Sequence, residues 1–247
     1  MKTKTPLEEY LFKDSNSHSK ESLVNNKLFY DLKLAAAKAD YFLNIYTPEV
    51  DKDGFDIILD DQDQLLKVQL KTVMEKTTTN SWNIHKSLLR PHRYVCEDLG
   101  FESSPSGTGY QGGVIVIELE DSERSGLQLS YYYTDIIIIC GLRDGIIDKA
   151  TPPILDTMKK FTTEINSGPA NEKMPTPKSF FLKANSAEDL LALMGIHSPT
   201  NSGSFRYNIQ QLVSKASRTP QETVSLKAFI NRELRQLSAS IAPLPDS

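Results

Sequence analysis

An α/β fold, with a mixed central sheet flanked by helices and a helical C-terminal extension, is what the 247-residue sequence predicts. Three observations carry it. Val24, Leu28, Leu32, Ala35 and Ala39 recur at spacings of four, four, three and four, the period of an amphipathic helix. Two apolar runs then alternate as strands do within Gly54 to Val73, separated by the turn-rich Asp60-Asp61-Gln62-Asp63-Gln64, which closes them into a hairpin. Beyond residue 166 helical signals dominate, with Thr219-Pro220-Gln221-Glu222 reading as a capping box with proline at the first helical position.

Composition narrows the class. A hydrophobic content of 39% and a charged content of 24% are ordinary for a soluble globular chain. A net charge of -4 argues against a surface coated in positive charge, yet leaves room for a local basic patch that contacts phosphates. The two cysteines, Cys96 and Cys140, read as reduced thiols rather than a disulfide frame, which points to a cytoplasmic protein. The N-terminal MKTKTPLEEYLFKD lacks the apolar core of a signal peptide. No run approaches the roughly 20 apolar residues of a membrane helix, so no membrane partner is expected.

In chain order, residues 1–18 read as a loose polar arm, and 19–40 as the first helix. Glu21 lies three residues before Val24, placing a carboxylate at the first turn on the apolar side. It either complements the helix dipole at a frayed end or reaches a site. A short strand at 41–46 ends at Thr47-Pro48. Asp51 to Asp56 resembles a calcium loop only superficially, since its glycine is misplaced and the closing glutamate is missing. Arg90-Pro91 begins a short helix over 92–99, stopped at Gly100, and 102–113 is a flexible loop without a Walker or dinucleotide fingerprint. Strands follow at 114–119 and 127–133, and the isoleucine run in 135–142 reads as a buried strand. Helices are expected at 154–165, 186–194, 208–216 and from 219 to about 238. The organisation is thus an arm (1–18), a main domain (19–165) and a helical extension (166–247).

The polar residues of the hairpin are the candidate site. Asp56 shares a side with Ile58, and Gln69 with Lys71, so closing the hairpin sets the acid beside the Gln69-x-Lys71 pair. Magnesium needs oxygen ligands and is satisfied by one or two carboxylates, a carbonyl, waters and a substrate phosphate. Asp56, the Gln69 side-chain oxygen and the Leu70 carbonyl supply such a set, with Glu21 as a second carboxylate if its helix crosses the hairpin. Lys71 stands on the same face to orient or deprotonate water and to offset charge. Around it the chain is basic: Lys67, Lys76, His85, Lys86, Arg90 and Arg93 face a single acid, Glu75, between Gln64 and Val95. This is either a phosphate-binding surface or a solvated basic face. The basic residues of the C-terminal tail, Arg206 and Arg218 among them, offer a second, weaker surface. The histidines and cysteines have no hydrolase elbow and no zinc spacing.

Gly54-x-Asp56, a short linker and Val68-Gln69-Leu70-Lys71, preceded by the helix with Glu21, resemble the PD-(D/E)XK nuclease superfamily. The branch matched in pattern has Gln-x-Lys in place of Glu-x-Lys and is similar to Mrr-like and Holliday-junction-resolvase-like defence nucleases. The resemblance spans about residues 19–142 and implies a restriction-endonuclease-like core of helix, three strands, helix and strand. It makes Asp56 and Gln69 the metal ligands, Lys71 the catalytic lysine and Glu21 the helix glutamate. It also implies a magnesium-dependent DNA endonuclease, with manganese as substitute, serving restriction or anti-phage defence. Double-stranded DNA is the favoured partner, and a homodimer or a defence-system partner protein is compatible with it. The alternative is a non-catalytic nucleic-acid-binding or assembly subunit, because glutamine removes one negative charge from the metal site.

Overall fold

The computed structural model describes residues 5–49, 54–75, 77–101, 109–122, 126–196, 203–214 and 218–243. Among them, α1 (Pro6–Phe12) and a 3₁₀ turn at Asp14–Asn16 lead into α2 (Ser17–Lys38). Then come β1 (Asn44–Tyr46), β2 (Ile57–Asp60), β3 (Leu65–Met74), β4 (Ser81–His85) and the single turn α3 (Lys86–Leu89). After a 3₁₀ turn at Arg93–Val95, the chain forms β5 (Gly113–Ser122), β6 (Gly126–Asp135), α4 (Ile136–Arg143) and α5 (Leu155–Ile165). The last third holds β7 (Lys173–Pro177), β8 (Leu182–Lys183), α6 (Ala187–Met194), α7 (Gly203–Val213) and α8 (Pro220–Leu237).

The sheet is mixed and six-stranded, in the order β1-β2-β3-β5-β6-β8, with β4 and β7 forming a separate two-stranded ribbon. β1, β2 and β3 form an antiparallel meander. The chain then crosses over through β4 and α3, so that β5 pairs parallel to β3, as a connection of that length permits. β6 returns antiparallel to β5, and β8 adds two residues at its far edge. The α/β class read from the sequence therefore holds.

Because strand side chains alternate and paired positions share a face, the register sorts the sheet into two sides. One carries Leu59, Val68, Ile117, Tyr131 and Tyr133. There α2 packs, and Tyr131 donates its hydroxyl to Asp31 at 2.6 Å. The other carries Ile58, Lys67, Gln69, Lys71, Val116, Glu118, Tyr132 and Thr134. It is partly covered by the stretch after β7, where Thr134 donates to the Phe180 carbonyl at 2.8 Å. Among the described residues no helix is long and apolar enough to cross a membrane.

Several segments differ from their sequence reading. The N-terminal residues are not a loose arm in the part described: α1 buries Leu11, and Tyr10 and Ser19 share a 2.6 Å hydrogen bond. Residues 136–143 are helical rather than a strand. Asp135 caps this helix by accepting from the Ile138 N–H at 2.9 Å, and its residues are buried all round through Leu142. A continuous apolar run has no period, so a buried strand and a buried helix look alike in sequence. The segment 92–99 is a 3₁₀ turn followed by hydrogen-bonded turns rather than a regular helix, ending at Gly100 with φ +74°. β4 and β7 are not legible in the sequence: β7 contains Pro175 and Pro177, residues that weaken a strand reading and are tolerated at an edge. The capping box at α8 forms with both of its bonds. Cys96 and Cys140 are free and buried.

Candidate functional site

The acidic linker builds the turn that closes the hairpin. Asp60 accepts the Gln62 N–H at 2.9 Å, Asp61 accepts those of Asp63 and Gln64 at 3.1 and 2.9 Å, and Gln62 adopts φ +73°. These are Asx turns, in which a carboxylate replaces a backbone acceptor. The ladder they set pairs Ile57 with Val68 and Ile58 with Lys67. Just before this ladder Asp56 donates its N–H to the Val68 carbonyl at 2.9 Å, one position out of that register, so the regular pairing ends at Ile57. The Asp56 carboxylate accepts the Leu70 N–H at 2.6 Å. Just before it, Gly54 has φ +76°, and a Cβ there would lie 2.4 Å from the His85 ring. Glycine is needed at this point because the ring of His85 rests on the main chain.

The polar atoms gathered here are unevenly satisfied. Gln69 is only 5% exposed, and among the described residues its Oε1 has no hydrogen-bond partner. A buried acceptor left this way costs about 1–3 kcal/mol. The Leu70 N–H points at Asp56, and a strand residue directs its N–H and C=O to the same edge. The Leu70 carbonyl therefore opens towards Asp56, where the β2 ladder has ended. The side chain of Lys71, half-buried on the Gln69 face, forms no hydrogen bond or ion pair among the described residues. A carboxylate, an unsatisfied amide oxygen and a main-chain carbonyl form a hard-oxygen donor set that suits magnesium. It brings only one formal negative charge.

Glu21 does not join them. It is exposed, it sits on the helix that packs against the Tyr131 face, opposite to Gln69, and no hydrogen bond or ion pair engages it among the described residues. Nor do the described residues contain a group of three or more His, Cys, Asp and Glu able to hold a metal. Helix position alone puts Glu21 near the apolar stripe, but α2 begins four residues earlier, at Ser17, and the Glu21 side chain is exposed.

The basic segment is largely spent on structure. Arg90 is 1% exposed and donates to the carbonyls of Ile165, Ser167 and Gly168 at 2.7, 3.0 and 2.7 Å. Burial pulls its pKa down, opposed by the nearby charge of Glu172. Buried Lys86 pairs with Glu172 at 2.8 Å and reaches the Ser167 carbonyl at 3.2 Å. These two cations fasten the 165–172 loop and are not phosphate contacts. Lys67 is held by aromatic faces, its ammonium 3.7 Å from the Tyr110 ring centroid and 4.6 Å from that of Phe55. His85 stands at the mouth of the hairpin, against Gly54. Arg93 remains exposed on the 3₁₀ turn, and Lys76 lies outside the described residues. In the tail, Arg206 is drawn inward to Asp135 at 2.6 Å.

A second polar group shares the Lys71 face and is not apparent from the sequence. Glu118 of β5, 8% exposed, accepts from Tyr132 at 2.8 Å and from Lys178 at 2.7 Å. Burial pushes its carboxyl up, but the bonds from Lys178 and Tyr132 outweigh it and hold the pKa below the usual range. The same bond, after burial, raises Tyr132. The Lys178 and Lys183 ammonium groups lie 4.8 and 5.6 Å from the Tyr132 ring centroid. The one local signal is an acid within the apolar run 114–119. Its lysine partners come some sixty residues later, beyond any spacing rule. No protein-family model matches the chain, and no significant match is found among curated proteins.

Proposed function

We propose that this chain is a magnesium-dependent endonuclease that hydrolyses phosphodiester bonds in DNA, in a restriction or anti-phage role. The observation that carries the reading is the buried, unsatisfied Gln69 Oε1 on the strand whose next residue, Leu70, is bonded to the Asp56 carboxylate, with the Lys71 side chain, unpaired among the described residues, one step along the same strand face. Magnesium would be held by Asp56, Gln69 and the Leu70 carbonyl, where it supplies Lewis acidity towards a phosphoryl oxygen. Lys71 contributes a positive charge to the attacked phosphate and a proton-bearing group beside the attacking water. Asp56 keeps the Leu70 main chain in place through its 2.6 Å bond. The succession of α2, the β1–β3 meander, a crossover through β4 and the single turn α3, and parallel β5 supports the reading in so far as it follows the helix, three strands, helix and strand implied by the resemblance to PD-(D/E)XK nucleases, with β4 as an addition.

Incubating purified protein with supercoiled plasmid and magnesium or manganese tests it. Nicked or linear product is expected, and its loss in Lys71→Ala and Asp56→Ala with unchanged thermal unfolding. Cleavage retained in both variants overturns the assignment.

A second reading is a DNA-binding or assembly subunit with a lapsed site. The single formal charge of the donor set favours it, since Gln69 is neutral and one Asp56 oxygen is already bonded to Leu70. Gain of cleavage in Gln69→Glu, from an inactive parent, selects this reading.

A further inference from the structure

The register places Lys71, Val116, Tyr132 and Lys183 in one transverse row across β3, β5, β6 and β8, all on the same face. Strands lie about 4.8 Å apart, so the row spans about 14 Å. Its two ends are lysines. Lys183, like Lys71, is half-buried and forms no side-chain hydrogen bond or ion pair among the described residues. Between them stands Tyr132, with Lys178 leaning on its ring and paired with Glu118, and with the charge of Glu75 also reaching Tyr132. Partly desolvated ammonium groups without a directly bonded carboxylate are unfavourable unless an anion completes them, and Glu118 acts on Lys183 only at a distance. Side-chain flexibility would let Lys183 turn away to water; instead its ammonium stays 5.6 Å from the ring that also carries Lys178.

We propose that this row is a phosphate track, on which Lys71, Lys178 and Lys183 bind successive phosphates of a nucleic-acid backbone leading away from Asp56 and Gln69. Tyr132 and Glu118 are positioning residues: the carboxylate aims Lys178 and the ring floors both lysines. The track takes over the role that Lys86 and Arg90, buried beneath the neighbouring loop, do not fill. It rests on the nuclease reading for the identity of its ligand.

Binding of a labelled DNA duplex and of its single strand, measured by fluorescence anisotropy in EDTA across a salt series, tests the track apart from catalysis. Removing one lysine–phosphate pairing should lower the salt slope by about 0.9 on duplex and about 0.7 on single strand. Lys183→Ala is expected to weaken binding several-fold with that slope change, and Lys183→Arg to restore it. Lys178→Ala also leaves Glu118 without its cation, so it is read as Lys178→Ala/Glu118→Gln, with a further slope change. An unchanged slope in Lys183→Ala, or a parent protein that binds neither DNA, overturns the track. Magnesium-dependent cleavage abolished by Lys71→Ala would stand in either case, so the nuclease reading fails or survives separately.

Discussion

Two groups of buried or half-buried cations, encoded within 20 residues of each other, meet opposite fates. Arg90 and Lys86 end in a cage of carbonyls and one carboxylate, with four of their bonds directed at residues 165–168, while Arg90 Nη1 has no partner among the described residues. Lys71 and the neighbouring Gln69 oxygen have nothing comparable among the described residues. Where the protein satisfies its buried polar groups it is holding a loop. Where it leaves them unsatisfied on one face of a hairpin, beside a carboxylate, it carries a cost that a ligand can offset. The difference between positive residues that belong to the fold and those that belong to function lies in their partners, not in their position in the sequence.

The sharpest way to break this comparison is Lys71→Ala. Loss of a charged proton-transfer group in the reaction should reduce cleavage by about 10²–10⁴-fold, while the urea midpoint stays within experimental error because no hydrogen bond is removed. Arg90→Ala should do the reverse. It strips donors from three carbonyls and is expected to cost about 3 kcal/mol or more in equilibrium unfolding, with cleavage per folded molecule retained at low temperature. Activity falling in step with Lys71→Ala would place Arg90 in the site.

Lys149 is an intermediate case. Its ammonium is partnered by the Ser179 and Phe181 carbonyls, the latter at 2.8 Å, yet burial pushes its pKa down to about 8. Between pH 8 and 10 the unfolded chain then binds more protons at this residue than the folded one. Stability therefore rises with pH across that window, by up to about 3 kcal/mol. Chemical denaturation at pH 7.5, 8.5 and 9.5 should show wild type gaining on Lys149→Met; parallel curves would mean the lysine stays charged throughout. A smaller change in stability, of opposite sign to that of Arg90→Ala, is expected of Gln69→Met. Replacing an unsatisfied buried amide by an apolar chain of similar length should stabilise the protein by about 1 kcal/mol while removing magnesium-dependent cleavage. A destabilised variant would show that Gln69 is satisfied in solution by a partner that the described residues do not provide.

Local chemistry makes much of this legible. The Asx-rich linker, the alternation of residues 55–59 and 65–73 and the Thr219 capping box are short-range patterns, and each appears as read. The approach of Asp56 to the main chain of Val68 and Leu70 follows from closing the hairpin and needs nothing beyond residues 56–71. Residues 136–143 are not legible as a helix because four isoleucines fit either element, and Asp135 acts as a cap only once β6 delivers it to the helix start. β4 and β7 find their pairing across some ninety residues.

What the sequence by itself determined is the α/β class and the hairpin that brings Asp56 to the Leu70 main chain, since a two-residue strand period and a short Asx-rich turn leave little freedom in the register. What only the tertiary structure decided is which charges are available. Lys86 and Arg90 are claimed by the 165–172 loop, Lys67 by Tyr110 and Phe55, and Arg206 by Asp135. Lys183 is brought level with Lys71 across three strand spacings. Long-range packing assigns each cation its partner, or none, and a charge without a partner has no signature in the local order of residues.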